Sequence, residues 1–137
     1  MGSIEHINPE LLHNNPAFTQ TVVTHGPGKT VYIGGQNGVD ADGVIVGEDM
    51  ASQAAQAFKN LTACLEAAGA KPENIVKWTI YVVAGADLHP GFAAFQTFWG
   101  ARPNPPTIST LIVAGLAVPG ALIEIDAIAF VPSTERQ

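Results

Sequence analysis

Positive charge is scarce in this chain: six Lys and Arg stand against twelve Asp and Glu, for a formal net charge of −6 over 137 residues. The six cations are scattered, and following a phosphate backbone needs them gathered on one face, so no nucleic-acid partner is expected. Cysteine is almost absent. The single Cys64 excludes an internal disulfide and a thiolate metal framework, and it suits a reducing, cytoplasmic setting. His6, His13, His25 and His89 show no ligand spacing, so no metal is expected either. No apolar run reaches membrane-spanning length, and "MGSIEHINPELLHNN" has neither the basic region nor the apolar core of a secretory signal. Charged residues of both signs make up only 13% of the chain, where about a quarter is usual for a globular domain. Part of the surface is therefore expected to be covered, most simply by copies of the same chain.

Apolar residues are plentiful, at 47%, and the length suits one domain spanning 1–137 with a core over about 16–131 and an N-terminal segment over 1–15. Residues 19–24 and 30–34 read as strands joined by the Gly/Pro loop "HGPGK", and a short strand is possible over 44–46. Ala51, Ala54, Phe58, Leu61, Leu65 and Ala68 recur at three- and four-residue steps and predict a helix over 49–68. Asp49 can cap its start and Gly69 can end it in the left-handed conformation. Residues 74–83 form a β-branched and aromatic strand. A second helix over 88–100 puts Leu88, Phe92, Phe95 and Trp99 on one face, and strands follow over 107–113 and 121–131.

Two helices can cover only one face of such a sheet, yet its strands are apolar on both. Val76, Trp78, Ile80 and Val82 alternate with Ile75, Tyr81 and Val83. The last strand sets Ala121, Ile123, Ile125, Ala127 and Ala129 opposite Leu122, Ile128 and Phe130, and the latter side also carries Glu124 and Asp126. An uncovered face of this kind would aggregate, so a closed homo-oligomer is expected, with both carboxylates pointing into a subunit interface.

"TVYIGGQNGVD", "QAAQAFKNLTACLEAAGAKPENIVKWTIYVV" and "VPGALIEIDAIAF" together resemble the Rid (reactive intermediate deaminase, or endoribonuclease L-PSP) family over residues 16–131. The resemblance implies a chorismate-mutase-like α+β fold of order β-β-α-β-α-β-β, with one mixed sheet, two helices on one face, and a homotrimer with three clefts between subunits. It also implies hydrolysis of imines or enamines derived from amino acids, such as 2-iminopropanoate, to a keto acid and ammonia without a cofactor. The family's water-positioning glutamate matches Glu124 in "IEIDAIA", and its serine-glycine-glutamine matches Gly34, Gly35 and Gln36. The pocket-closing tyrosine is replaced by Phe18. The arginine that grips the substrate carboxylate is replaced by Ile108 in "PPTIST", and a frequent cysteine two positions on by Thr110. An isoleucine cannot make the bidentate contact that suits arginine to a carboxylate.

The expected ligand is accordingly a small neutral or ring-based imine or enamine. Glu124 would act as general acid/base, with Phe18, Gly35, Gln36, Asn37, Phe92, Ile108 and Thr110 around the substrate. Each residue also has a plainer reading. Glu124 can be a structural carboxylate at an interface, and Asp126 more readily so. Gly34–Asn37 can be a strand bend, Thr110 a strand-wall threonine, Phe92 a core aromatic, Arg102 a solvated loop residue, and Cys64 a small core residue. A non-catalytic ligand-binding or chaperone-like trimer and a proton-transfer isomerase need the same scaffold and stay open.

Overall fold

The apolar stripe of residues 54, 58, 61 and 65 winds helix α1 (Met50–Ala67), in which Ala54, Ala57, Phe58, Leu61 and Leu65 are buried. Asp49 caps it by accepting from the Ser52 N–H at 2.9 Å, and Gly69 leaves it at φ +71°, a conformation glycine adopts without a side-chain penalty. The computed structural model describes residues 1–134. Its remaining elements are strands β1 (Ser3–Ile7), β2 (Thr21–His25), β3 (Gly28–Asn37), β4 (Ile75–Val83), β5 (Thr107–Val113) and β6 (Ile123–Pro132), with a single 3-10 turn (Pro72–Asn74) before β4 and helix α2 (His89–Trp99) between β4 and β5. No described helix is long and apolar enough to cross a membrane.

Four strands make the main sheet in the order β3-β6-β4-β5. β6 is antiparallel to both neighbours, while β4 and β5 are parallel. Since β3 and β4 run the same way, β3-α1-β4 and β4-α2-β5 are successive parallel crossovers in the same direction across the sheet. A common hand then places both helices on one face. The core between these layers centres on Trp78, which packs on Phe58 of α1 and on Phe95 and Trp99 of α2, with ring centroids 5.0–6.3 Å apart. Together these elements form the α+β fold, with its mixed sheet and two helices.

Three expectations change in detail. β2 does not form a hairpin with β3; it pairs with β1, which the short and partly charged "SIEHI" does not announce, as a separate two-stranded ribbon. The stretch 44–46 contributes only an isolated bridge, Val39 to Ile45. Ile75, expected on the uncovered side of its strand, is fully buried in the core because the β4–β6 ladder slips between Ile75 and Lys77.

One buried polar side chain ties the layers together. Gln53 of α1, with no exposed surface, donates to the carbonyls of Gly47 and Gly120 at 2.9 and 3.0 Å and accepts from the Leu122 N–H at 2.7 Å. It thereby fixes the turn from which β6 departs.

Candidate functional site

β4 register decides which side of the sheet each candidate occupies. Trp78 pairs with Ile108 and Ile80 with Thr110, so the two β5 residues share the helix-covered face with the core. Tyr81 pairs with Glu124 and Thr79 with Asp126, which puts both carboxylates on the opposite, open face.

On the covered side Ile108 and Thr110 open into a cavity of about 530 Å³ beneath α2. Phe92, Phe95, Gln96 and Trp99 of α2 form one wall, Ile80 and Val82 of β4 the floor, and residues 15–18 the rim. α2 is held at both ends. The His89 N–H donates to Asp87 Oδ1 at 3.1 Å, and Arg102 closes the other end by donating to the carbonyls of Phe98 and Trp99, both at 2.9 Å. Arg102, expected as a solvated loop residue, is 37% exposed and engaged by the end of α2. Its Nε donates to Glu73 at 2.7 Å, and that hydrogen bond holds the Glu73 carboxyl below its ordinary pKa. Phe18 reaches the rim because Thr19 is fastened beside it: its N–H donates to Pro106 O at 3.2 Å and its hydroxyl to Pro105 O, just ahead of β5.

On the open side Glu124 lies under a break in β3. The β3–β6 register shifts between Ile33 and Gln36, and Gly34 and Gly35 occupy the bulge. A Cβ built on Gly35 would stand 2.5 Å from Glu124 Oε2 and 2.6 Å from its carboxyl carbon, so the carboxylate rests against bare backbone. Asn37 steadies this corner. Its Nδ2 donates to Ile123 O at 3.1 Å and stands 3.4 Å from Glu124 Oε1, while its own carbonyl accepts from Asn60 of α1 at 3.0 Å. Gln36 turns its amide back onto the Gly34 carbonyl at 3.0 Å and so closes the bulge. Asp126 accepts from the Tyr81 hydroxyl at 3.1 Å, which raises the phenol's pKa and keeps it protonated.

The predicted residues therefore form two groups within one chain. Phe18, Phe92, Ile108 and Thr110 share the cavity, whereas Glu124, Gly35 and Asn37 gather on the other side of the sheet, and Gln36 pairs with the core residue Ile125. The cavity group also includes Asn15 and Gln96, which the sequence reading missed. Gln96 lies one helical turn from Phe92, and that spacing was its only signal. Among the described residues no three His, Cys, Asp or Glu side chains are placed to hold a metal ion.

Residues 12–131 match the family described as Endoribonuclease L-PSP. A Rattus norvegicus 2-iminobutanoate/2-iminopropanoate deaminase is 35% identical over 114 residues, which cover 82% of this chain and 79% of that protein. The Salmonella typhimurium protein of the same name is 37% identical over 103 residues, 74% of this chain and 80% of its own. Among solved structures, a Yersinia pestis protein of unknown function from the conserved Rid protein family superposes with a TM-score of 0.82 at 33% identity, covering 92% of this chain and 97% of that one. On the length of the match and the agreement in fold, the chain belongs to the endoribonuclease L-PSP (Rid) family.

Proposed function

We propose that this protein is a cofactor-independent imine or enamine hydrolase that acts on an uncharged substrate, in clefts where the cavity of one subunit meets Glu124 of its neighbour in a homotrimer. The curated relatives named as imine deaminases support the reaction class. The substrate class rests on Ile108, which by the resemblance stands at the family's arginine position, in a cavity that no Lys, Arg or His lines among the described residues. A carboxylate bound there would be desolvated without a compensating charge, which costs roughly 2–5 kcal/mol against a paired anion.

In this reading Glu124 takes a proton from water as the oxygen attacks the C=N carbon, then returns it to the departing nitrogen. The tetrahedral carbinolamine collapses to a carbonyl compound and ammonia, so one water is consumed for each C=N bond broken. Gly35 lets the carboxylate approach the substrate past bare backbone. The test is ammonia release from freshly generated imines, with and without an α-carboxylate, by wild type, Glu124→Ala and Ile108→Arg. Wild type is expected to favour uncharged imines, Glu124→Ala to lose roughly 10²–10⁴-fold in kcat, and Ile108→Arg to gain turnover of α-imino acids. Unchanged turnover in Glu124→Ala sinks the proposal.

The replaced arginine also favours a second reading, in which the trimer binds a neutral ligand without turning it over. A complex that forms equally well with Glu124→Ala, and in which no imine is consumed, would select it. The ribonuclease activity in the family's name gains no support from a chain of net charge −6. RNA affinity with a steep salt dependence is not expected in a filter-binding titration.

A further inference from the structure

The cavity beneath α2 contains neutral hydrogen-bonding groups that the fold itself does not use. Gln96 and Thr110 line it, both exposed to solvent, and neither side chain has a hydrogen-bond partner among the described residues. Asn15 Oδ1 accepts from the Ala17 N–H at 2.8 Å, which leaves its Nδ2 as a further donor at the rim. The other walls are apolar, with Phe92, Phe95 and Trp99 among them. Arg102, the guanidinium nearest in sequence, is occupied by Glu73 and the end of α2.

A primary carboxamide presents one carbonyl and two N–H donors, the same inventory as the Gln96 side chain, so the two can pair reciprocally without a charge on either. A carboxylate offers acceptors only and meets no cation among the described lining residues. The cavity, at about 530 Å³, is far larger than such a head group and leaves room for a bulky apolar side chain against the aromatic wall.

We propose that Gln96, with Thr110 beside it, is the specificity-determining residue of this site, and that it reads the carboxamide of a 2-imino-carboxamide whose apolar or aromatic side chain fills the cavity. This rests on the imine-hydrolase reading above. The hydrolysis would convert R–C(=NH)–C(=O)NH₂ and water to R–C(=O)–C(=O)NH₂ and ammonia, breaking only the imine bond and leaving the amide C–N bond intact.

Two measurements separate this inference from the reading it rests on. The first compares binding of phenylpyruvamide and phenylpyruvate to wild type and to Gln96→Leu by calorimetry. The second follows ammonia release from the imines of phenylalaninamide and phenylalanine by wild type, Gln96→Leu and Glu124→Gln. Wild type is expected to bind phenylpyruvamide at least about tenfold more tightly than phenylpyruvate, and Gln96→Leu to remove that preference, raising KM while kcat holds. Equal binding of the two ligands by wild type, or an unchanged preference in Gln96→Leu, overturns the role of Gln96 even where Glu124-dependent turnover stands. A preference that needs Gln96 but accompanies no turnover of either imine overturns the hydrolase reading and leaves Gln96 as the ligand-selecting residue.

Discussion

A single methyl group at position 35 would collide with the carboxylate of Glu124, since the Cβ would lie 2.5 Å from Oε2. The Glu124 side chain can rotate away, so the fold would survive and the displacement would fall on the carboxylate. Gly35→Ala should therefore melt within a degree or two of wild type, and its kcat should fall roughly 10–10²-fold, the scale on which ångström misplacements of a reacting group act. Thermal denaturation and steady-state ammonia release on the same preparation would check both halves. A large fall in Tm with kcat retained would mean that Gly35 serves the bulge rather than the carboxylate. Gly34, also in the bulge, has open space around its absent Cβ, so Gly34→Ala is the matched control.

α2 supplies one wall of the cavity, and its C-terminal end depends on Arg102, whose guanidinium also lies 6.0 Å from the Trp99 ring centroid. Arg102→Ala should cost about 1–2 kcal/mol after allowance for solvent, lowering Tm by about 3–8 °C. Part of this loss depends on pH. Because Glu73 has its pKa lowered in the folded state, the pair contributes stability above the unfolded value near 4.5 and loses it as pH falls through the folded value. With the two side chains 37% and 51% exposed, that share stays below about 1 kcal/mol. The Tm difference between wild type and Arg102→Ala should thus narrow below about pH 4 without closing, since the bonds to the Phe98 and Trp99 carbonyls do not titrate. Elements such as α1 and α2 are legible in the sequence because their periodicity and end signals are local. β1 is not legible, since "SIEHI" becomes a strand only by pairing with β2. The open face of Glu124 is legible too, from the alternation of its own strand. That Ile108 lies on the other face is hidden, because it depends on how β5 aligns with β4, a tertiary property that no single segment encodes.

At the scale of the molecule, that separation turns the proposed trimer into a testable requirement. The chain exposes large apolar side chains on both sides of the sheet: Tyr32 and Leu111 on the open face and Phe92 at the cavity mouth, with Tyr32 78% and Phe92 59% exposed. A neighbour covering the open face of one subunit and the cavity of another would bury these patches and bring Glu124 to the substrate. Two defective variants can test this: Glu124→Ala, which keeps the cavity, and Thr110→Trp, which fills it and keeps Glu124. Each alone should be inactive. In a mixture refolded at equal concentration, a cleft is competent only when the cavity comes from the first variant and the carboxylate from the second. Random assembly of a cyclic trimer makes that pairing in about a quarter of clefts, so recovery of up to about a quarter of wild-type activity is expected. Sedimentation on the same mixture would check that assembly is intact. Assembled trimers with no recovered activity would place the cavity and Glu124 of a working site in the same chain, and the cleft between subunits would have to be abandoned.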